Sequence, residues 1–365
     1  MSYATKTKAA IIGTGSFVRK VIIPEIARLN NAEIILIAGS DEEETSELAT
    51  LVGAEKLLAD DFALLFANPE VEVVIVANES AAHAGLVLDA LKAGKHVLVV
   101  PPLALTVKDL KNIEFFYAKQ DAKGEPSPLM MVMHHQRFSP LLKALALYLS
   151  KRVGPVMINY QLNAGFLERD SDKRSPLQGG RNILEASEVY DVLTALVGGV
   201  KVRKAEAMSL EKCPEDVDNL DNFTATFAFE DGSIANLVFS SLGNADYPRD
   251  KMTVFCDENV FAFDDFNSLD CFGSLHFSKT ADKVDYGFEA MFREFIGSVR
   301  NPSASSPVPV EEQLQAARMA IGVEARLASP VLPVSELLDV KNEDRNISTL
   351  KERAISKFKT LVGQD

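Results

Sequence analysis

The sequence has few cysteines, a shortage of positive charge and no long apolar run. Its three cysteines, Cys213, Cys256 and Cys271, are too few and too widely spaced for a disulfide framework or a C-x-x-C metal site. With 38 basic and 52 acidic residues, the formal net charge is -14, so the average field repels nucleic acid and anionic membranes. We therefore expect no metal, no nucleic acid partner and no membrane partner. Because Met1–Ala4 also begins no apolar signal core, we expect a cytoplasmic protein.

Hydrophobic patterning predicts a parallel sheet in the first third of the chain. The 365 residues, 47% of them hydrophobic, suffice for two domains. Short β-branched runs alternate here with helical patterns, which is typical of strands covered by helices on both faces. Strands are expected at Ala9–Ile12, Ile34–Ala38, Val73–Ala77, His96–Val99 and Leu129–Met133, and helices up to Asn30 and from His83 to Ala93.

The pattern changes after about residue 154. Alternating apolar residues over Phe223–Phe229 turn at Asp231-Gly232 into Ile234–Ser240, which predicts a hairpin of a half-buried antiparallel sheet. A second hairpin is expected at Met252–Phe263, around Asp257-Glu258-Asn259. Helices are expected near Tyr286–Val299, Val310–Leu327 and Ser348–Leu361.

A glycine turn follows the first strand. Gly13 allows the tight turn, and Gly15 allows close approach of a pyrophosphate to the helix N-terminus. The third position of the motif, normally small, is Val18, and the second strand ends in Gly39 where an acid would bind a ribose. Ser40 is available to hydrogen-bond a 2′-phosphate. The turn is thus either a dinucleotide site or a tight turn without a ligand, and the choice between NAD and NADP stays open.

Several local motifs together resemble one family, that of glucose-fructose oxidoreductase, inositol dehydrogenase and MocA (Gfo/Idh/MocA). The matching segments are Ile11–Gly15, Asn31–Ile34, Ala90–Leu98, Pro102–Thr106, Arg137–Pro140, Asn163–Gly165 and Gly179–Asp191. The resemblance implies an α/β protein that joins an N-terminal Rossmann domain to a C-terminal α+β domain with an open, mainly antiparallel sheet. We expect the Rossmann domain at 1–128, with a strand and connecting helix over 129–152, the open-sheet domain at 153–340 and a helical segment at 341–365.

The resemblance also shows what is missing from the active site. Members of the family use a lysine from an E-K-P motif and a histidine on a helix of the second domain to handle the substrate hydroxyl while hydride passes to NAD or NADP. The lysine falls on Pro101 and the histidine on Glu188. Candidate catalytic groups are therefore Glu188, with Asp191 on the same helix face, and Tyr190, for which core packing is the alternative.

The remaining candidate site residues follow from family positions and from strand ends. The expected cofactor-binding residues are Gly13, Gly15, Ser16, Phe17, Ser40, Asn78, Ser80, His83 and Pro102. His134 and His135 follow a strand at the edge where α/β sheets bind ligands. The expected substrate-binding residues are His135, Arg137 and Asn163.

Two functions remain open from the sequence. One is an NAD(P)-dependent oxidoreductase acting on a sugar, inositol or related polyol with an altered site. The other is an inactive homologue serving as a dinucleotide or sugar sensor or as a regulatory protein partner. The uncovered sheet face also predicts self-association into a homodimer or homotetramer.

Overall fold

The computed structural model describes most of the chain up to residue 328. The described residues are 6–58, 62–124, 127–168, 171, 177–211, 218–301 and 303–328. One compact unit comprises Met1–Leu327. The helix expected at Ser348–Leu361 and the segment 341–365 lie outside the described residues. In the described part of the chain, no helix has the length and apolarity needed to cross a membrane.

A six-stranded parallel sheet forms from the first third of the chain. Its order is β3-β2-β1-β4-β5-β6, and every neighbouring pair is parallel. The strands are β1 (Thr7–Ile12), β2 (Ala32–Gly39), β3 (Glu55–Leu58), β4 (Val73–Val76), β5 (His96–Val99) and β6 (Met130–Val132). The order reverses between β1 and β4, which opens a ligand crevice at their carboxyl ends. The predicted Rossmann-type sheet is confirmed; β3, which is mostly exposed, was not predicted.

Helices cover both faces of this sheet, which explains why every residue of β4 is buried. The helices are α1 (Ile23–Arg28), α2 (Glu42–Val52), α3 (Ala63–Ala67), α4 (Ser80–Lys92) and α5 (Val107–Lys123). A π-helical turn, Val18–Ile22, leads into α1. The large residue at the third glycine-motif position, Val18, is fully buried in the layer that α1 forms with the sheet.

An eight-stranded sheet follows, in the order β14-β13-β12-β11-β7-β10-β9-β8. All its pairs are antiparallel except β7 with β10. Both predicted hairpins, β9 with β10 and β11 with β12, are confirmed. The strands are β7 (Met157–Asn163), β8 (Val202–Ser209), β9 (Asn222–Phe229), β10 (Ile234–Ser240), β11 (Asp250–Cys256), β12 (Asn259–Asp264), β13 (Ser268–Phe272) and β14 (Phe277–Thr280).

Helices cover one face of this second sheet. Burial alternates along β7, as expected for a sheet with one packed face. The helices of this layer are α6 (Pro140–Leu149), α7 (Gly180–Glu185), α8 (Ser187–Leu196) and α10 (Val310–Leu327). Helix α9 (Phe288–Val299) instead buries its apolar residues in the core of the parallel sheet. On the uncovered face, Met157, Val238, Phe255 and Phe272 are each more than two-fifths exposed.

Helix α10 packs against both sheets. Leu314 belongs to the apolar layer of the parallel sheet, and Val323 to that of the antiparallel sheet. Near its start, the buried side chain of Gln313 accepts from the N–H of Val132 (2.8 Å) and donates to the carbonyl of Met130 (3.1 Å). These bonds satisfy the backbone at the edge of β6 that would otherwise be unpaired. A shared helix therefore holds the two sheets together around a cleft, while the division into domains at residues 128 and 153 stays a prediction.

Candidate active site

A large cleft lies between the carboxyl ends of the parallel strands and the antiparallel sheet. Its volume is about 780 Å³, within the roughly 300–1,000 Å³ typical of small-molecule sites. Its walls come from the glycine turn, from the ends of β4 and β5, from the residues after β6, and from α7, α8 and the start of α9. This position is the one that the strand order predicts for a ligand.

The glycine turn and the end of β4 form one wall. At Gly13 the backbone φ is 118°, and a Cβ would lie 2.3 Å from the carbonyl oxygen of Ala77, so the turn packs against the end of β4 only with glycine there. A Cβ at Gly15 would meet no atom within 4 Å, which leaves space over the turn. Asn78 lines the cleft, and its Oδ1 is buried without a hydrogen-bond partner among the described residues. An open glycine turn beside an unsatisfied acceptor fits a dinucleotide site.

Other predicted cofactor residues cluster around the same wall. Phe17 and Ser80 line the cleft, and Ser80 donates to Gln178 Oε1 (2.6 Å). Ser16 is exposed in the turn, and Ser40 is exposed beyond the end of β2. The structure thus brings Phe17, Asn78 and Ser80 together and leaves Ser40 outside the residues that line the cleft.

His83 connects the end of β4 to the loop after β5. Its Nδ1 lies 2.7 Å from the carbonyl oxygen of Pro102, and its Nε2 lies 3.0 Å from that of Asn78. Burial lowers the pKa of His83, which favours the neutral ring. Because a neutral imidazole has one N–H, His83 donates to one of these carbonyls at a time. Pro102 therefore contributes its backbone carbonyl to the cofactor wall of the cleft, through the contact with His83.

Val100 and Pro101, at the positions of the expected E-K pair, both line the cleft. The place where the resemblance puts a lysine therefore faces the site but carries no charge. Among the described residues that line the cleft, the arginines are Arg181 and Arg249. Arg181 is held by Glu185 (2.9 Å), and Arg249 lies 3.5 Å from Glu185.

Glu188, on the first turn of α8, faces His135 across the cleft. Glu188 Oε1 and His135 Nε2 are 3.7 Å apart, and the two side chains are 15% and 16% exposed. Glu188 Oε2 is buried without a hydrogen-bond partner among the described residues. Burial raises the pKa of Glu188 to about 8, because an ionised carboxylate would be poorly solvated there. At neutral pH Glu188 is therefore mainly a neutral acid.

His135 is oriented by its surroundings. Its Nδ1 lies 2.8 Å from the carbonyl oxygen of Tyr286, which can only accept, so Nδ1 carries the proton. The ring stacks on Phe288 with centroids 3.8 Å apart. Burial lowers the pKa of His135 to about 4. The neutral ring therefore presents the unprotonated Nε2 to Glu188.

Asp191, three residues after Glu188, lies in a different environment. Arg137 holds it with two short bonds, from Nε (2.6 Å) and Nη2 (2.7 Å), and also donates to Glu312 (2.9 Å). His134 Nδ1 is 3.2 Å from Asp191 Oδ1. Although burial opposes ionisation, Arg137 and His134 keep the pKa of Asp191 below its usual range. The pair Asp191–Arg137 is buried and does not line the cleft, so it supports the site from behind.

Two other predicted site residues also lie away from the cleft lining. Tyr190 is fully buried, donates its hydroxyl to Asn182 Oδ1 and packs edge-on against Phe227. Its position matches the core-packing alternative. Asn163 donates from Nδ2 to the carbonyls of Asn244 (2.8 Å) and Tyr247 (3.1 Å), which holds a loop.

The cleft also contains residues that the sequence did not single out. Asp250, at the start of β11, lines the cleft and accepts from the hydroxyl of Tyr160 (2.7 Å). Burial raises the pKa of Asp250. Tyr286 and Phe288 support His135. No local spacing links β7, β11 and the start of α9, so only the tertiary structure reveals these neighbours. The described residues contain no group of three or more His, Cys, Asp or Glu placed to hold a metal.

Comparison with known proteins identifies the family. Residues 7–123 match the Gfo/Idh/MocA model, described as an oxidoreductase family with an NAD-binding Rossmann fold. An uncharacterized oxidoreductase of Rhizobium meliloti is 31% identical over 236 residues, which cover 63% of this chain and 67% of that protein. A 1-carboxy-3-chloro-3,4-dihydroxycyclohexa-1,5-diene dehydrogenase of Comamonas testosteroni is 30% identical over 203 residues, 54% of this chain but only about half (49%) of that protein.

A solved structure has a similar fold over most of the chain. A Magnetospirillum magnetotacticum protein described as an oxidoreductase has 25% identity and a TM-score of 0.68, covering 87% of this chain and 99% of that one. The α/β class with a Rossmann-type sheet and a second, mainly antiparallel sheet is confirmed, as is the dinucleotide cofactor class. The chain belongs to the Gfo/Idh/MocA family of NAD-binding oxidoreductases.

Proposed function

We propose that the protein is an NAD(P)-dependent oxidoreductase that interconverts a hydroxyl and a carbonyl group on a sugar, inositol or related polyol. Glu188 exchanges the proton in this proposal. One observation carries it: a glutamic acid with a pKa of about 8 faces an oriented, neutral histidine inside the cleft that the dinucleotide wall borders. General acid–base groups work best when their pKa lies near the operating pH.

The gap between Glu188 and His135 suits a substrate oxygen. At 3.7 Å, Oε1 and Nε2 are too far apart for a direct hydrogen bond. One oxygen placed between them reaches both at about 2.8 Å. A substrate hydroxyl can accept from the Glu188 acid while it donates to His135 Nε2, since one partner is a donor and the other an acceptor.

The proton and the hydride then follow separate routes. Bound NAD(P) supplies the hydride acceptor or donor. During hydroxyl oxidation Glu188 is ionised and can only accept, so the substrate hydroxyl turns its O–H from His135 to Glu188. Glu188 takes this proton as the C–H hydrogen leaves as hydride. During carbonyl reduction, protonated Glu188 gives its proton to the developing alkoxide. Asp191 and Arg137 hold α8 and the turn before α6 in position. Glu188, as base in one direction and acid in the other, exchanges the proton without the lysine of the family motif.

The substrate class is supported by the Comamonas testosteroni relative, whose name describes a dehydrogenase of a dihydroxylated six-membered ring. The cleft walls offer the polar groups of Gln178, Glu188 and Asp250 beside apolar and aromatic ones. Such mixed walls suit a small polyhydroxylated ring.

Turnover measurements on a panel of sugars, inositols and polyols with NAD(H) and NADP(H) test the proposal. Glu188→Gln is expected to lower kcat by about 10²–10⁴-fold, because the amide keeps the shape but cannot exchange the proton. Glu324→Gln is the matched control: Glu324 is another glutamate whose pKa burial raises, but it lies on α10 outside the cleft lining. Full turnover by Glu188→Gln would refute the proposed role.

A regulatory role is the second candidate, and Pro101 favours it, because this residue removes the charge expected at the substrate. Tight dinucleotide binding with no turnover on the whole panel would support a sensor and refute the enzyme.

We further infer self-association through the exposed apolar residues of the uncovered sheet face, which light scattering tests. The free thiols Cys256 and Cys271 support a reducing, cytoplasmic setting.

A further inference from the structure

At the end of β2, any side chain at Gly39 would have to displace two threonines. A Cβ at Gly39 would lie 2.5 Å from Thr45 Oγ1 and 2.8 Å from Thr14 Cγ2. Rossmann proteins that use NAD commonly place a ribose-binding carboxylate near this point. Here Gly39 offers no carboxylate, and Asp41, two residues further on, is engaged as the cap of helix α2.

Helix α2 brings a carboxylate to the glycine turn. Thr14, between the two glycines of the turn, donates from Oγ1 to Glu44 Oε2 at 2.6 Å. Asp41 caps the helix by accepting from the N–H of Glu44 at 2.8 Å, which fixes the backbone of that residue. Glu44 is exposed, so the carboxylate that Thr14 anchors beside the turn remains accessible to a ligand.

Two cations near this edge, Arg19 and Lys56, are engaged by other acids of α2. Arg19 forms two bonds of 2.7 Å with Glu47, and Lys56 lies 3.5 Å from Glu42. Binding of a 2′-phosphate would have to draw Arg19 away from Glu47. Recognition of that phosphate normally relies on a nearby arginine.

We propose that Glu44 binds the adenosine ribose hydroxyls and makes the protein specific for NAD over NADP. The inference rests on the dinucleotide site of the proposed function. The 2′-hydroxyl of NAD donates to the Glu44 carboxylate, which Thr14 orients. The 2′-phosphate of NADP meets that negative charge at short range and is repelled.

Fluorescence titration of the purified full-length chain with NADH and NADPH tests this role without requiring turnover. The wild type is expected to bind NADH at least about tenfold more tightly, the scale of one charge-assisted hydrogen bond. Glu44→Gln removes the charge and is expected to reduce the NADH preference about tenfold. Thr14→Val, which frees Glu44, is expected to reduce it less. Glu43→Gln is the control, because it removes the same charge one residue away and is expected to change the ratio less than twofold.

Three results would overturn the proposal. If the wild type binds NADH and NADPH equally well, or prefers NADPH, the proposed specificity for NAD does not exist. An equal effect of Glu43→Gln and Glu44→Gln shows a diffuse charge effect in place of a binding residue. Failure to bind either cofactor refutes the dinucleotide site, and with it the proposed function. Selective binding of NADH without turnover supports the role of Glu44 and refutes only the enzymatic activity. Unchanged melting temperatures confirm that the variants are folded.

Discussion

Two carboxyl groups on one helix, Glu188 and Asp191, have opposite environments. Asp191 is 1% exposed and forms two bonds with Arg137, and its pKa is lowered. Glu188 is 15% exposed and faces a neutral His135, and its pKa is raised to about 8. Such a separation of pKa values supports the proposal that Asp191 is structural and that Glu188 transfers the proton. Their shared helix face therefore places two acids in contrasting environments, and the charge of Asp191 adds to the rise in the pKa of Glu188; a paired-carboxylate site stays a prediction.

Removal of Asp191 is expected to have the largest effect. Asp191→Asn leaves the buried Arg137 guanidinium with Glu312 as its remaining acid, so the free energy of unfolding should fall by about 3–5 kcal/mol. Urea denaturation measures the loss. Asp89→Asn is the control, because the exposed pair of Asp89 with Lys92 contributes at most about 1 kcal/mol. A loss below 1 kcal/mol for Asp191→Asn would show that the ion pair is not a structural support.

The pH dependence of catalysis should distinguish the two directions of the reaction. Oxidation needs ionised Glu188, so its rate should rise with pH and level off above about pH 8. Reduction needs the protonated acid, so its rate should fall above about pH 8. Each limb should change about tenfold per pH unit. Steady-state rates in both directions from pH 6 to 10 test this, and parallel profiles in the two directions would contradict the assignment.

Protein stability should report the same group without any substrate. The pKa of Glu188 rises from 4.5 to about 8 on folding, so between these values the folded state binds more protons than the unfolded state. Stability therefore falls as pH rises through this window, by at most about 1.4 kcal/mol per pH unit from this group. Glu188→Gln lacks the penalty and should gain melting temperature relative to the wild type at pH 8 but little at pH 5. A pH-independent difference would mean that Glu188 titrates normally.

His135 should have the smallest effect of the set. His135→Asn removes the acceptor Nε2 and the stack on Phe288, so the KM for the polyol should rise about five- to tenfold, the scale of one hydrogen bond. The limb near pH 8 should remain, because it belongs to Glu188. A collapse of kcat with unchanged KM would instead make His135 the proton-transfer group.

Most of the fold follows from local patterning. The strand His96–Val99 and the helix Val310–Leu327 have the predicted bounds, and both hairpins turn at the predicted residues. The edge strand Glu55–Leu58 escaped prediction because its side chains are largely exposed and carry no apolar pattern. Strand β7 is inserted between β10 and β11, far away in sequence, and no local pattern specifies such a pairing.

The site was only partly predictable. Family positions predicted Asn78, Ser80, His83 and Glu188 as site residues, a strand end predicted His135, and all five line the cleft. These patterns did not show that Arg137 is engaged by Asp191 and Glu312, nor that Tyr190 is a core residue, because partners on α8 and α10 decide both. Asp250 and Glu44 became candidate site residues only through hydrogen bonds to residues on other elements, Tyr160 and Thr14.

From the sequence by itself, motif resemblance indicated the family and the proline, Pro101, at its lysine position. Local patterning determined the Rossmann-type sheet with its glycine turn. It did so because periodicity and turn residues are local properties of the chain. The tertiary structure decided which acids are ionised: burial and the arginine partner set the pKa of Glu188 and Asp191 in opposite directions, and both depend on residues far away in the sequence.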